Sequence, residues 1–181
     1  DRYFAEFNFG YNGSENFTPK NRYGFFPSVG LGWVISNESF WDGIRKTVSN
    51  LKIRVSYGLA GNDALGERFP YRSIVAMGEE SGFYYNWNSQ GKGPKITTYG
   101  NPNATREEAK KLDVGLELGL FNALNIEAAY FTEDRTGIFM RRTSLPSSTG
   151  LLGVTPYGNI GRVKSHGVDL SAVYNKQFNK D

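Results

Sequence analysis

Six stretches of this chain alternate apolar and polar residues with period two, and the apolar phase of each is free of Lys, Arg, Asp and Glu. Three are read at odd positions: Tyr3 to Tyr11, Phe25 to Ile35 and Leu51 to Leu59. Three are read at even positions: Leu112 to Leu120, Leu124 to Thr132 and Val168 to Tyr174. The opposite phase and its flanks hold Arg2, Glu6, Lys52, Arg54, Lys111, Asp113, Glu117, Glu127, Glu133 and Asp169. Successive side chains of a β-strand point to opposite faces, so the pattern describes one sheet with an apolar side and a wetted side. What covers the apolar side decides the class of function.

Composition narrows the choice. Aromatic residues make 15% of the 181 and glycines number 22, while only 39% of the chain is hydrophobic, a balance that suits twisted sheet with many turns. No apolar run reaches the roughly 18 residues of a transmembrane helix, but a membrane barrel hides its apolar content in every second residue. The chain opens on Asp1 and Arg2 within a strand pattern, without a signal peptide, which reads as a fragment or a mature segment whose targeting information lies elsewhere.

Chemistry of sites is sparse. With no cysteine there are no disulfides and no thiolate ligands. His166 stands alone, and the neighbours Glu79 with Glu80 and Glu107 with Glu108 point apart on a strand. No nucleophile elbow or phosphate-binding glycine pattern occurs, so no catalytic residue, metal or cofactor is expected. A net charge of +3, with no basic cluster beyond Arg141 and Arg142 or Lys110 and Lys111, argues against nucleic acid and reads as solvated surface.

The joins between strands are lopsided. Gly13 to Gly24, Ala60 to Ala104 and Arg135 to Tyr157 fall at one end, the last two long; Phe121 to Ala123 is a tight turn at the other. Ser36 to Asn50 also lies at that other end, and its Phe40, Trp41, Ile44 and Val48 fit either a short amphipathic helical turn against the rim or an ordinary loop. Thr105 with Glu108 matches a capping box, so Thr105 to Lys111 reads as helix or strand; Gly115 and Gly119 favour strand from Leu112 onward. Pro27 requires a strand start near Phe26 or a bulge at Phe25 to Pro27.

In order along the chain stand Gly24-Phe25-Phe26-Pro27-Ser28, Gly32-Trp33 with Glu38 and Phe40, Leu51 to Gly58 with Gly61-Asn62, and Asn101-Pro102-Asn103 before Glu107 and Lys110. Leu120-Phe121-Asn122, Tyr130-Phe131 with Arg135-Thr136, Leu145-Pro146, Asn159-Ile160-Gly161 and Gly167-Val168-Asp169-Leu170 follow. This ordered set resembles the barrel of SusC/RagA-type TonB-dependent outer-membrane transporters. Arg106 and His166 depart from it, standing where Trp and Lys are common.

The resemblance implies an all-β, antiparallel up-and-down transmembrane barrel segment, about six strands of a wall of about 22. Residues 1–181 are then one part of the barrel, with the plug domain and the closing C-terminal strands supplied elsewhere. It further implies a TonB-energised nutrient importer in the outer membrane of a Gram-negative, Bacteroidota-like cell. Its partners would be a SusD-like surface lipoprotein, the TonB complex, the plug, membrane lipid and a glycan or peptide substrate. On this reading Lys52, Arg54, Lys111, Asp113, Glu117, Glu127 and Glu133 face the lumen and plug, the alternative for each being simple hydration or cross-strand pairing. Phe83, Tyr84, Tyr85 and Trp87 in the longest loop would stack on sugar rings or pack against the lipoprotein, or merely fill the loop. A soluble β-sandwich carbohydrate-binding module, with a second sheet over the apolar face, explains the alternation equally well.

Overall fold

A computed structural model describes residues 1–85, 89–151, 154 and 156–175, without the side chains of 79–92 and 147. Its main sheet holds six antiparallel strands, β1 (Tyr3–Gly13), β2 (Tyr23–Val34), β3 (Val48–Asn62), β6 (Glu107–Leu120), β7 (Leu124–Arg141) and β8 (Tyr157–Tyr174), in that spatial order. Strands β4 (Ile74–Tyr85) and β5 (Ser89–Thr98) form a separate two-stranded hairpin inserted between β3 and β6. Among the described residues the hairpin pairs only with itself and no second sheet packs on the apolar face, which removes the sandwich.

The register places all six apolar phases on one face. Phe7 opposes Val29, Val29 opposes Tyr57, Tyr57 opposes Leu112, Leu112 opposes Thr132, and Thr132 opposes His166. A slip of one residue at any ladder would have put charge among these side chains, so the pattern itself pins the register.

Pro27 needs no bulge and no late strand start. Val34 donates to the Arg2 carbonyl and Ser14 to the Arg22 carbonyl, so even-numbered residues of β2 and its flanks bond toward β1. The nitrogen of Pro27 therefore faces β3, where the ladder begins one residue later at Ser28 opposite Gly58. The missing N–H lies just beyond the paired segment.

Several joins differ from the sequence reading. Strand β7 continues to Arg141, past an irregularity at Gly137, whose φ of 71° lies in the left-handed region that favours glycine. Of the segment from Thr105 to Lys111, Glu107 onward is strand, paired with β3, and Thr105 precedes it with its amide given to Asn159 Oδ1 at 2.9 Å. In the β2–β3 join the amphipathic turn is replaced by two short 3-10 turns, Ile35–Asn37 and Ser39–Trp41. Ile35, Ser36 and Glu38 are buried there, whereas Phe40 and Ile44 are exposed. Side-chain bonds decide this: Trp41 Nε1 donates to the Val48 carbonyl at 3.0 Å and Arg45 Nη2 to the Ser36 carbonyl at 2.7 Å. The β6–β7 turn is tight as expected, with Phe121 and Asn122 both at positive φ and Ala123 donating to the Leu120 carbonyl.

Candidate functional site: a two-faced wall and its loop end

The uncharged face is exposed along its length: Phe7, Phe9, Leu31, Val114, Leu116, Tyr130, Val168 and Leu170 all show large apolar surface. A contiguous apolar surface of this extent marks a contact with something nonaqueous. Its ends carry aromatic pairs, with Tyr3 and Trp33 stacked at 6.1 Å at one end and Tyr11 and Tyr23 stacked at 5.4 Å at the other.

The uncharged band runs diagonally across the sheet. Phe7, the middle of the β1 stretch, lies in the same row as Thr132 of β7, whereas the middle of the β7 stretch is Ala128, four residues away. Four strand-to-strand steps separate β1 from β7, so the band shifts by one residue per strand. One residue is about 3.4 Å and one strand spacing about 4.8 Å, so the strands tilt roughly 35° from the normal to the band. Closed membrane barrels tilt their strands by about 35–45°.

The opposite face is charged and internally paired. Lys52 meets Glu117 at 2.9 Å, Arg54 meets Asp113 at 2.9 Å, and Lys111 meets Glu133 at 3.5 Å. Thus six of the seven residues singled out in the sequence form cross-strand pairs. Glu127 instead lies directly opposite Glu117 in the ladder. Arg135, read in the sequence as loop, completes the Glu133 group at 2.9 Å. Gly115 makes the second pair possible, because a Cβ there would run into the Arg54 side chain. Partly exposed pairs of this kind contribute about 0.2–1 kcal/mol each, so they chiefly keep this face wetted and in register.

The tightest packing lies at the loop end. Phe17 is fully buried, and Ala104 and Arg106 nearly so. The Arg106 guanidinium lies 5.6 Å from the Phe17 ring centroid and 5.4 Å from that of Phe26. It donates to the carbonyls of Asn12 and Asn21, each at 3.3 Å, and to that of Arg22. A Cβ on Gly24 would collide with both the guanidinium and the Phe26 ring. Asn159 ties β8 into the same group, donating from Nδ2 to the carbonyls of Thr105 and Gly137 at 2.6 and 2.7 Å. Sequence reasoning missed this site; its one signal was that Arg106 departs from the usual Trp. Of the loop aromatics, the side chains of Phe83, Tyr84 and Tyr85 and all of Trp87 lie outside the described residues.

The model of the TonB-dependent receptor-like β-barrel matches residues 2–179. The chain belongs to this barrel family. TonB-dependent receptor P3 of Formosa agariphila is 30% identical over 99% of this chain and 17% of its own length. TonB-dependent receptor SusC of Bacteroides thetaiotaomicron is 27% identical over 94% of this chain and 17% of its own length. The RagAB peptide importer in its closed-closed state superimposes with a TM-score of 0.79 at 26% identity, covering 99% of this chain and 19% of that one. The chain therefore spans about a sixth of the curated relatives it matches. As a TonB-dependent receptor barrel segment it is part of an outer-membrane wall.

At the end of this barrel segment opposite the long loops, Glu38 closes the rim. It accepts from Tyr3 Oη at 2.7 Å, from Trp33 Nε1 at 3.2 Å and from Arg2 Nη1 at 3.2 Å. The Tyr3 hydroxyl, then the Trp33 indole, then the Arg2 charge hold its carboxyl below the usual carboxylate range. A carboxyl so depressed adds stability above its unfolded pKa and loses it as pH falls through the lower folded value. The wild type is thus expected to resist urea better than Glu38→Gln at neutral pH. The difference should vanish on acidification below the usual carboxylate range; a gap independent of pH would show that the charge of Glu38 is not what matters.

Proposed function

We propose that the chain is a late arc of the wall of a TonB-energised outer-membrane nutrient importer. The diagonal, uncharged band carries this reading, because it supplies both the surface that lipid requires and the strand tilt that closure requires. Arg or Lys on the lipid face near the midplane would cost about 2–4 kcal/mol, which accounts for their absence. The apolar face then meets lipid, and Lys52, Arg54, Lys111, Asp113, Glu117, Glu127 and Glu133 face a wet lumen holding the plug domain. The plug and the remaining strands come from the rest of a protein about six times as long, in keeping with the share of SusC and RagAB that the chain covers.

The joins at the β1–β2, β3–β6 and β7–β8 ends face outward in this arrangement, toward substrate and a SusD-like lipoprotein in a Bacteroidota-like cell. The likeness to a peptide importer supports a peptide as cargo, and a glycan remains the other cargo that the sequence resemblance implies. Phe83, Tyr84, Tyr85 and Trp87 belong to this outward group and are assigned contact with cargo or lipoprotein. The test uses the full-length protein in its host. Uptake should cease on TonB depletion, and the lipoprotein encoded beside it should copurify, with Trp87→Ala weakening cargo or lipoprotein binding. Uptake unaffected by TonB depletion would overturn the reading.

A further inference from the structure

Above the apolar band, the outward face of β6, β7 and β8 changes character. Lys110, Asp134 and Lys164 lie directly opposite one another across three strands, in the phase that is apolar farther down. One row nearer the band are Leu112, Thr132 and His166. Arg162 engages Asp134 through both carboxylate oxygens, with Nε to Oδ1 at 2.8 Å, so the Asp134 charge is met by a fixed partner. Lys164 stands 3.8 Å from the same carboxylate with its side chain 66% exposed, and Lys110 is exposed. The next acid up the same face is Glu108, two residues beyond Lys110 and farther from the band. Three cations against two carboxylates leave the patch net positive, and both lysines lie nearer the band than Glu108.

Height locates the patch. Lys110 and Asp134 lie six residues from the band's middle at Leu116 and Ala128, and Lys164 about seven from the middle of its stretch. At about 3.4 Å per residue and a tilt of roughly 35°, that is about 16–20 Å above the midplane, against a half-height of about 12 Å for the apolar band. The patch therefore falls at the level of lipid headgroups, where lysine stems lie along apolar surface and their ammonium groups reach anionic groups. At comparable height β2 presents Tyr23, stacked on Tyr11 nearer the band, in place of a cation.

We infer that Lys110 and Lys164, braced by the Arg162–Asp134 pair, form a binding site for a phosphate-bearing lipid headgroup in the loop-side leaflet. This rests on the reading that the apolar face meets lipid. Full-length protein in detergent is titrated with diphosphoryl lipid A and followed by native mass spectrometry, with phosphatidylcholine and inorganic phosphate as separate arms. Each cation near a charged membrane surface contributes about fivefold, so Lys110→Gln with Lys164→Gln should weaken lipid A binding about 25-fold. Lys46→Gln, at the other end of the sheet, should leave it unchanged. Equal lipid A affinity in wild type and double variant would overturn the site, as would displacement of lipid A by millimolar inorganic phosphate, which marks a free-anion site. A heat-modifiable mobility shift retained by the double variant shows that the wall still inserts. Loss of insertion by the wild type itself would indict the lipid-facing reading instead.

Discussion

Leu116→Arg is expected to block assembly of the barrel, whereas Ser56→Arg on the other face is expected to be tolerated. Leu116 is the middle of its stretch, is partly exposed, and lies opposite Ile53 and Ala128 on the uncharged face. A guanidinium there sits near the bilayer midplane, farthest from either interface, at a cost of about 2–4 kcal/mol. Ser56 opposes Gly30 and Asp113, so an arginine there joins a face that already carries Arg54 and Lys111. The measurement is the fraction of full-length protein showing a heat-modifiable shift in outer-membrane fractions. A large loss for Leu116→Arg with little for Ser56→Arg is the expected outcome; equal effects would contradict the assignment of faces.

Arg106→Ala is expected to loosen the loop end while leaving the wall inserted. The truncation removes donors to three backbone carbonyls and the cation held between Phe17 and Phe26. Hydrogen bonds to a charged group contribute about 1.5–3 kcal/mol each and are not additive, so the local loss is about 3–5 kcal/mol. Lysine is no substitute, because its point charge cannot offer the planar fork that reaches Asn12, Asn21 and Arg22 together. New protease cleavage within residues 14–22, with the heat-modifiable shift unchanged, is the expected result. Cleavage identical to wild type would show that Arg106 does not hold this join.

These two residues differ in how far they could be read from sequence. Leu116 sits in a strict alternation, and a strand's period ties sequence position to face without any knowledge of what is distant. Arg106 lies at the mouth of a strand, and its partners Asn12, Asn21 and Arg22 are more than eighty residues away. Nothing local records such contacts. The same holds for Thr105, whose capping-box pattern is overruled by Asn159, and for Phe40 and Ile44, whose helical spacing yields to the bonds of Trp41 and Arg45. The Glu133 group shows an intermediate case: its phase was legible, but its partner Arg135 was hidden because the alternation ends before the strand does.

The sequence by itself determined that the protein is a one-sided sheet, which residues lie on each side, and, through its ordered motifs, what barrel it resembles. Alternation is a property of a single strand, so it carries that information and no more. Tertiary structure decided the rest. Only the ladders set neighbouring strands against one another, and only then does the uncharged band become a diagonal whose slope states the strand tilt. Lipid and a second sheet both exclude charge from a strand's face, but a band slanted across the sheet and left uncovered among the described residues is what a tilted membrane wall presents.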